Sequence, residues 1–328
     1  MRLNIHILWV FMVALSLGAC RGEDTVSPDG SIPPDRGPAV DRFVTDLTIG
    51  PPVKVVVATF NVRNFFDSQD DPDTFDDVES ASAVSAKVRA LGTALRALDA
   101  DIVALQEIET LALLERLNGE ELGSLGYTEM RLLEGNDLRG IDVALLSRHP
   151  IISTTSHARD IFDGVDVQDT DRHGFSRDCL EVVVEPSPAR RLVLLINHLR
   201  AADYSDPQDA LFARHAQAAR VRQIADSTLT WEPNANLAVL GDLNDVPESR
   251  TLSLLTLGDP PLKDLHDSLS MSQRYTYIYK GDQTVLDYIL ASPGLVADLE
   301  AGSARTNHSS VFSTTSDHFP VLATFMLR

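Results

Sequence analysis

Acid, amide and imidazole side chains recur where the apolar runs of this 328-residue chain end. Asn61 follows KVVVATF, Gln106-Glu107 follows DIVAL, Asn197-His198 follows RLVLLI, and Asp242 and Asn244 follow LAVLG. Asp287 lies inside VLDYIL, and Asp317-His318 precedes FPVLATF. A strand that ends in such a group sets it at the edge of a sheet on a rigid base. Gathered at one edge, these groups could hold a hard cation through oxygen and move protons through imidazole. Taken singly, each has an ordinary reading, since an acid after a strand is usually a cap or a solvated turn. The set forms one constellation.

Competing chemistries lack their residues. There is no GxSxG, and Ser316 beside Asp317-His318 makes no triad, because adjacent residues cannot all converge on one point. No phosphate-cradling glycine loop occurs, and no Cys/His cluster suits structural zinc. Of the two cysteines, Cys20 and Cys179, the second is read as a buried bystander. With Cys20 expected to carry lipid, Cys179 has no partner within the chain.

The elements that must position these groups read as strands with fewer helices. Lys54–Phe60 is a nearly continuous apolar run, as expected of a strand buried on both faces. Further strands are expected at 102–105, 143–146, 180–184, 192–196, 237–240, 285–290 and 321–325. Val84, Val88, Leu91, Leu95 and Leu98 repeat at helical spacing, and helices are also expected at 111–117 and 207–226. Several strands have no helix between them. That predicts an α+β fold, with mixed or antiparallel sheets, two of them able to stack, and helices outside.

Residues 1–19 read as a leader, with Arg2 before an apolar run from Ile5 to Leu15 that is short for a membrane span. Leu17-Gly18-Ala19-Cys20 resembles a bacterial lipobox, in which the leader is cut before the cysteine and the thiol takes lipid. Arg21 follows, where an acid would favour inner-membrane retention in enterobacteria. Residues 20–52, rich in proline and poor in large apolar side chains, read as a lipidated flexible tether, and 53–328 as one catalytic domain. The expected address is a bacterial cell envelope, anchored through Cys20 on the outer-membrane, periplasmic or surface side. No protein partner is inferred and a monomer is expected. The net charge of −20 argues against a strong architectural DNA binder. It tolerates a nuclease whose cleft is locally basic and served by divalent metal.

The motifs ATFNVRNFFD, DIVALQEIE, GIDVALLSR, FSRDCLEV, INHLRA, VLGDLND, VLDYILAS and SDHFPV occur in this order from residue 58 to residue 321. Together they resemble the endonuclease/exonuclease/phosphatase superfamily, and the likeness runs from Val53 to the C-terminus. It implies a four-layer α/β sandwich, two mixed sheets face to face with helices outside, and metal-dependent hydrolysis of phosphoesters. It implies Mg2+, with Mn2+ or Ca2+ as alternatives, held by Glu107 and Asp242 with Asn61 and Asp317 beside them. His318 is the expected base or a phosphate-binding imidazolium, and Asp287 fixes its tautomer. Asp242 would position water or a second cation. Asn244 and His198 are expected to donate to phosphoryl oxygens. Arg177 is expected to touch phosphate or pair with an acid, and Asp142 has no settled role.

Two departures stand out. Arg63 replaces the acid that many bacterial members carry, and Arg200 stands where lysine is usual. The acidic stretch 160–178 fits no EF-hand. The motif wording is closest to secreted bacterial nucleases. A sphingomyelin or phospholipid phosphodiesterase, or an inositol-phosphate-type phosphatase, stays open. No aromatic hairpin suited to membrane insertion is read, the tryptophans being Trp9 and Trp231. Replacing Cys20→Ser in cells is expected to move the protein from the membrane to the soluble fraction; retention in the membrane would refute the lipid anchor.

Overall fold

The computed structural model describes residues 50–328. The expected leader 1–19, the lipidation at Cys20 and nearly all of the tether lie outside the described residues. The fold begins with β1 (Val53–Phe65), α1 (Ala81–Leu98), β2 (Ile102–Ile108), α2 (Leu111–Leu117), β3 (Glu129–Leu132), β4 (Asp142–Ser147) and β5 (Ile151–Ser156). A small hairpin, β6 (Ile161–Asp163) with β7 (Arg172–Gly174), comes next. Then follow β8 (Cys179–Ser187), β9 (Arg190–His198), α3 (Pro207–Trp231), β10 (Leu237–Asp242), α4 (Arg250–Thr256) and β11 (Lys263–Asp264). The chain finishes with α5 (Met271–Arg274), β12 (Tyr277–Tyr279), β13 (Asp282–Thr284), β14 (Asp287–Ala291), α6 (Pro293–Ala297), β15 (Arg305–Thr306), α7 (Ser310–Ser313) and β16 (Val321–Leu327).

Two six-stranded sheets carry the fold, in the orders β15-β16-β1-β2-β4-β3 and β11-β14-β10-β9-β8-β5. Each is mixed, with one parallel pair near its middle, β1 with β2 and β9 with β10, and antiparallel neighbours on either side. Period-2 alternation explains the layers. Val55 and Val57 of β1, Ile102 and Ala104 of β2, Leu194 and Ile196 of β9, and Leu240 of β10 pack into one core between the sheets. The other faces of β1 and β2, through Ala58, Phe60, Val103 and Leu105, meet α1 and α2. Val193, Leu195, Val239 and Leu290 of the second sheet meet α3 and α4. The result is the helix–sheet–sheet–helix sandwich.

The same alternation places the polar ends. Asn61 is on the Val55–Val57 face of β1, His198 on the Leu194–Ile196 face of β9, and Asp242 on the Leu240 face of β10. Asp287 starts β14 on the face of Ile289, another residue of the inter-sheet core. Parallel strands end, and antiparallel β14 begins, at one rim: Asp242 is paired with His198 on one side and with Asp287 on the other. The inter-sheet core thus turns polar where the site lies.

Helix α1 forms where the apolar spacing predicts it. Ser80 caps it by accepting from the Ala83 amide at 3.2 Å, and Asp99 closes it in the left-handed region. Strands run longer than the apolar runs suggest. β1 continues through Asn61 to Phe65, because a bulge near Arg63 and Asn64 lets pairing with β2 resume at Ile108. β14 begins at Asp287 and not at Val285, since Thr276 Oγ1 accepts both the Leu286 and Asp287 amides. α3 reaches Trp231, five residues past the expected end. The acidic stretch 160–178 is held by bases: Asp160 pairs with Arg220, Asp166 with His215 and Arg250, and Asp169 with His173.

One glycine fixes the rim. At Gly241 φ is +132° and an added Cβ would lie 1.9 Å from the Asn197 carbonyl oxygen on the neighbouring strand. Gly241→Ala is expected to lower unfolding free energy by about 3 kcal/mol or more and to displace Asp242; a denaturant melt matching the parent would contradict this.

Candidate active site

Two backbone irregularities aim the first groups. Glu107 sits at φ 67° where pairing of β2 with β4 shifts register between Gln106 and Ile108. Such a bulge turns a side chain out of the strand's regular alternation. Arg63 and Asn64, at φ 56° and 46°, do the same at the end of β1. Asn61 lies between the results. Its Nδ2 donates to Glu107 Oε1 and to Asp242 Oδ2, both at 3.0 Å, and its Oδ1 accepts from the Arg63 amide at 2.9 Å. Glu107 Oε2 accepts from the Asn64 amide at 2.8 Å.

Asp242 is the hub. Its Oδ1 accepts from the Asn244 amide at 2.9 Å, which holds Asn244 at φ 52°. Its Oδ2 lies 3.6 Å from His198 Nε2 and 3.8 Å from His318 Nε2. On the far side of the His318 ring, Nδ1 meets Asp287 Oδ2 at 2.8 Å. Burial and the neighbouring Asp287 charge push the Asp242 carboxyl up to about 7, against the pull of His318. Burial opposes charging of His318, but Asp287 and Asp242 outweigh it and raise that imidazole to about 10. His198 goes the other way: burial, then Arg177 and His318, hold it well below its ordinary value, so it stays neutral.

These groups open on a cleft of about 620 Å³ lined by Glu107, Asp242, Asn244, His198, Asp317 and His318 among others. The structure therefore brings together the expected residues Asn61, Glu107, His198, Asp242, Asn244, Asp287, Asp317 and His318. Asp317 stands at the rim, 3.6 Å from Arg63 Nε. Asn244 Nδ2 donates to the Leu199 carbonyl at 3.0 Å, which uses one of its two amide hydrogens. Arg177 pairs with Asp137 at 2.7 Å, the acid pairing open to it, and lines the cleft. Asp142 is outside the cleft lining; it is buried, accepts from the Gly135 amide at 2.8 Å, and burial pushes it up to about 8. Arg200 pairs with Asp203. Ser316 Oγ donates to the Asn61 carbonyl, a structural tie with no triad geometry.

The absence of an aromatic hairpin has to be corrected. β12 and β13 form one, with Ile278 38% and Tyr279 50% exposed, and Tyr277 4.7 Å from the His318 ring. The signal was present: TYIYKGDQT alternates about Lys280-Gly281, both at positive φ, as tight hairpins require. Arg139 and Thr276 were also missed. Arg139 lies in the loop ahead of the apolar run that starts at Ile141 and is not itself a strand-end residue, and the Thr276 side chain acts through the Leu286 and Asp287 amides.

The donor chemistry fits a hard divalent cation. Glu107 and Asp242, from different sheets, converge on one amide nitrogen, and Asp317 faces the same cleft. Asp287 Oδ1 is buried with no partner among the described residues. Carboxylates crowded this way call for positive charge beyond His318. Asp242, Asp287 and His318 also bring ligand atoms within 4.8 Å of one another.

The model of the endonuclease/exonuclease/phosphatase family matches residues 56–315. This chain belongs to that family. It is a hydrolase of phosphoester bonds, and such enzymes depend on divalent metal. Solved structures share the fold at low identity. The human Nocturnin catalytic domain with bound sulfate is 17% identical over 84% of this chain and 95% of its own, with a TM-score of 0.59. An endonuclease/exonuclease/phosphatase from Bacteroides vulgatus is 16% identical over 84% and 100%, with a TM-score of 0.58. ANGEL2, a 2′,3′-cyclic phosphatase in complex with adenosine-2′,3′-vanadate, is 15% identical over 84% and 96%, with a TM-score of 0.55. A comparison with curated proteins gave no match. In this family member, Asp287→Asn removes a charge that favours the imidazolium, so His318 is expected to titrate at lower pH than in the parent by NMR. Turnover is expected to fall about 10²-fold or more; an unchanged His318 titration would refute the pairing.

Proposed function

We propose that this phosphoester hydrolase is a nuclease of the bacterial cell envelope, anchored through Cys20, which cuts DNA or RNA. The lining of the cleft carries the reading. Beside the acids and imidazoles stand Arg63, Arg139 and Arg177, and the rings of Tyr277 and Tyr279 lie nearly parallel, 6.4 Å apart. Guanidinium groups suit phosphates, and exposed aromatic faces suit bases that have left the stack. On a chain of net charge −20, cations gathered at one cleft supply the local attraction that the whole surface lacks. The ligand named for ANGEL2 is an adenosine derivative, in keeping with a nucleotide-like substrate.

The proposed chemistry divides the work among these groups, with Asp242 serving both the water and the cation. His318, kept protonated by Asp287, donates to a phosphoryl oxygen as an imidazolium. Asp242, raised toward neutrality, takes the proton of the attacking water as the water oxygen bonds to phosphorus; the bond from phosphorus to the leaving oxygen breaks, and that oxygen takes a proton from solvent. Neutral His198 and the free amide hydrogen of Asn244 donate to the oxygens on which charge grows. A divalent cation held by Glu107 and Asp242, with Asn61 and Asp317 beside them, would supply positive charge to the phosphoryl oxygens; magnesium is the first choice, with manganese or calcium as alternatives.

The second reading is a phospholipid or sphingomyelin phosphodiesterase. The exposed Ile278 and Tyr279 beside Lys280 on the hairpin favour it. One experiment separates the two. The protein is offered plasmid DNA, RNA, sphingomyelin and inositol phosphates with magnesium, manganese or calcium, with Glu107→Ala and EDTA as controls. Nucleic-acid cleavage lost in both controls is the expected result. Turnover of lipid or inositol phosphate alone would replace the substrate and keep the centre.

A further inference from the structure

We infer that Lys87, on the outer helix α1, is a positioning residue for the hydrolytic centre. Its ammonium carries three protons and meets three backbone carbonyls: Val62 at 2.7 Å, Arg63 at 2.8 Å and Thr315 at 3.0 Å. A lysine at the border of an amphipathic helix ordinarily lays its stem on apolar surface and sends its charge to water. Here the charge turns inward, and carbonyl oxygens take the place of water around it.

The two segments it joins are distant in sequence and adjacent in the site. Val62 and Arg63 belong to the bulge at the end of β1, where Arg63 and Asn64 are held in the left-handed region. Thr315 precedes Ser316, Asp317 and His318. Two further ties cross between them, Ser316 Oγ to the Asn61 carbonyl at 2.8 Å and the half-exposed pair of Arg63 with Asp317 at 3.6 Å, and Ser316 Oγ in turn accepts from the His318 amide at 3.0 Å. Asn61 sets the spacing of Glu107 and Asp242, while the 315–318 loop carries His318 to Asp287 and Asp242. Lys87 therefore fixes the first group of residues relative to the second without touching either set of functional atoms.

Methionine fills the space of the lysine stem but offers no donor, so Lys87→Met removes the tie and keeps the packing. Val88→Ala, on the same helix with its side chain fully buried in the outer core, loosens packing and leaves the tie. The full chain is compared in both forms by hydrogen exchange, without added cation, over peptides spanning 61–66 and 314–319. The same proteins are assayed on bis(p-nitrophenyl) phosphate with magnesium, a diester without base or lipid. In Lys87→Met, exchange in both segments is expected to quicken about tenfold. kcat is expected to fall about tenfold or more with KM within about threefold, while Val88→Ala keeps the parent kcat. Parent-like exchange in either segment, a parent-like kcat, or the same losses in Val88→Ala would overturn the inference. If Lys87→Met does not fold, Lys87→Leu, which likewise offers no donor, is read by the same criteria.

Discussion

Two carboxylates from different sheets meet on one amide. Asn61 donates to Glu107 in its own sheet and to Asp242 in the facing one, at equal distances. The site depends on this bridge because it lies where the inter-sheet core stops being apolar. Behind it, Val57, Ile102, Ile196 and Leu240 close the interface; in front, the cleft begins. A bridge made by a neutral donor leaves both acids able to ionise, and it sets their separation through backbone positions that the sheets already determine.

Charge order follows from that placement. Asp287, behind the His318 ring, turns the imidazole into a cation, and the cation in turn stabilises the charged form of Asp242. His198 has no acid within hydrogen-bonding distance and stays neutral under the field of Arg177 and His318. The two histidines thus differ in charge although both are buried at the same rim. Their chemistry is set by what stands behind each ring and not by depth.

Much of this was legible in the sequence, and the reason is periodicity. KVVVATF and RLVLLI state a strand buried on both faces, and the residue that ends each run on the inner face falls at the rim by alternation alone. So Asn61, His198 and Asp242 could be placed from their own segments. What stayed hidden depends on pairing between segments. The left-handed turn at Glu107 comes from a register shift against β4 that no local pattern encodes. Arg139 reaches the cleft from a loop, and the Thr276 side chain matters through two amide hydrogens ten residues or more away. A short polar strand such as β5 lacks a buried face that would make it alternate, and two-residue β15 is too short to show a period. The hairpin of β12 and β13 was readable from its turn and was overlooked because tryptophan was taken as the mark of an exposed aromatic surface.

Glu107 and Asn244 both occupy backbone conformations in which glycine would rest without strain. A glycine at either position relaxes the chain and deletes a working group. Resistance to heat and turnover therefore pull these two positions in opposite directions. In a population selected for thermal endurance alone, the centre would be among the first parts of the protein to erode, and the surviving variants would be hardy, well folded and inert.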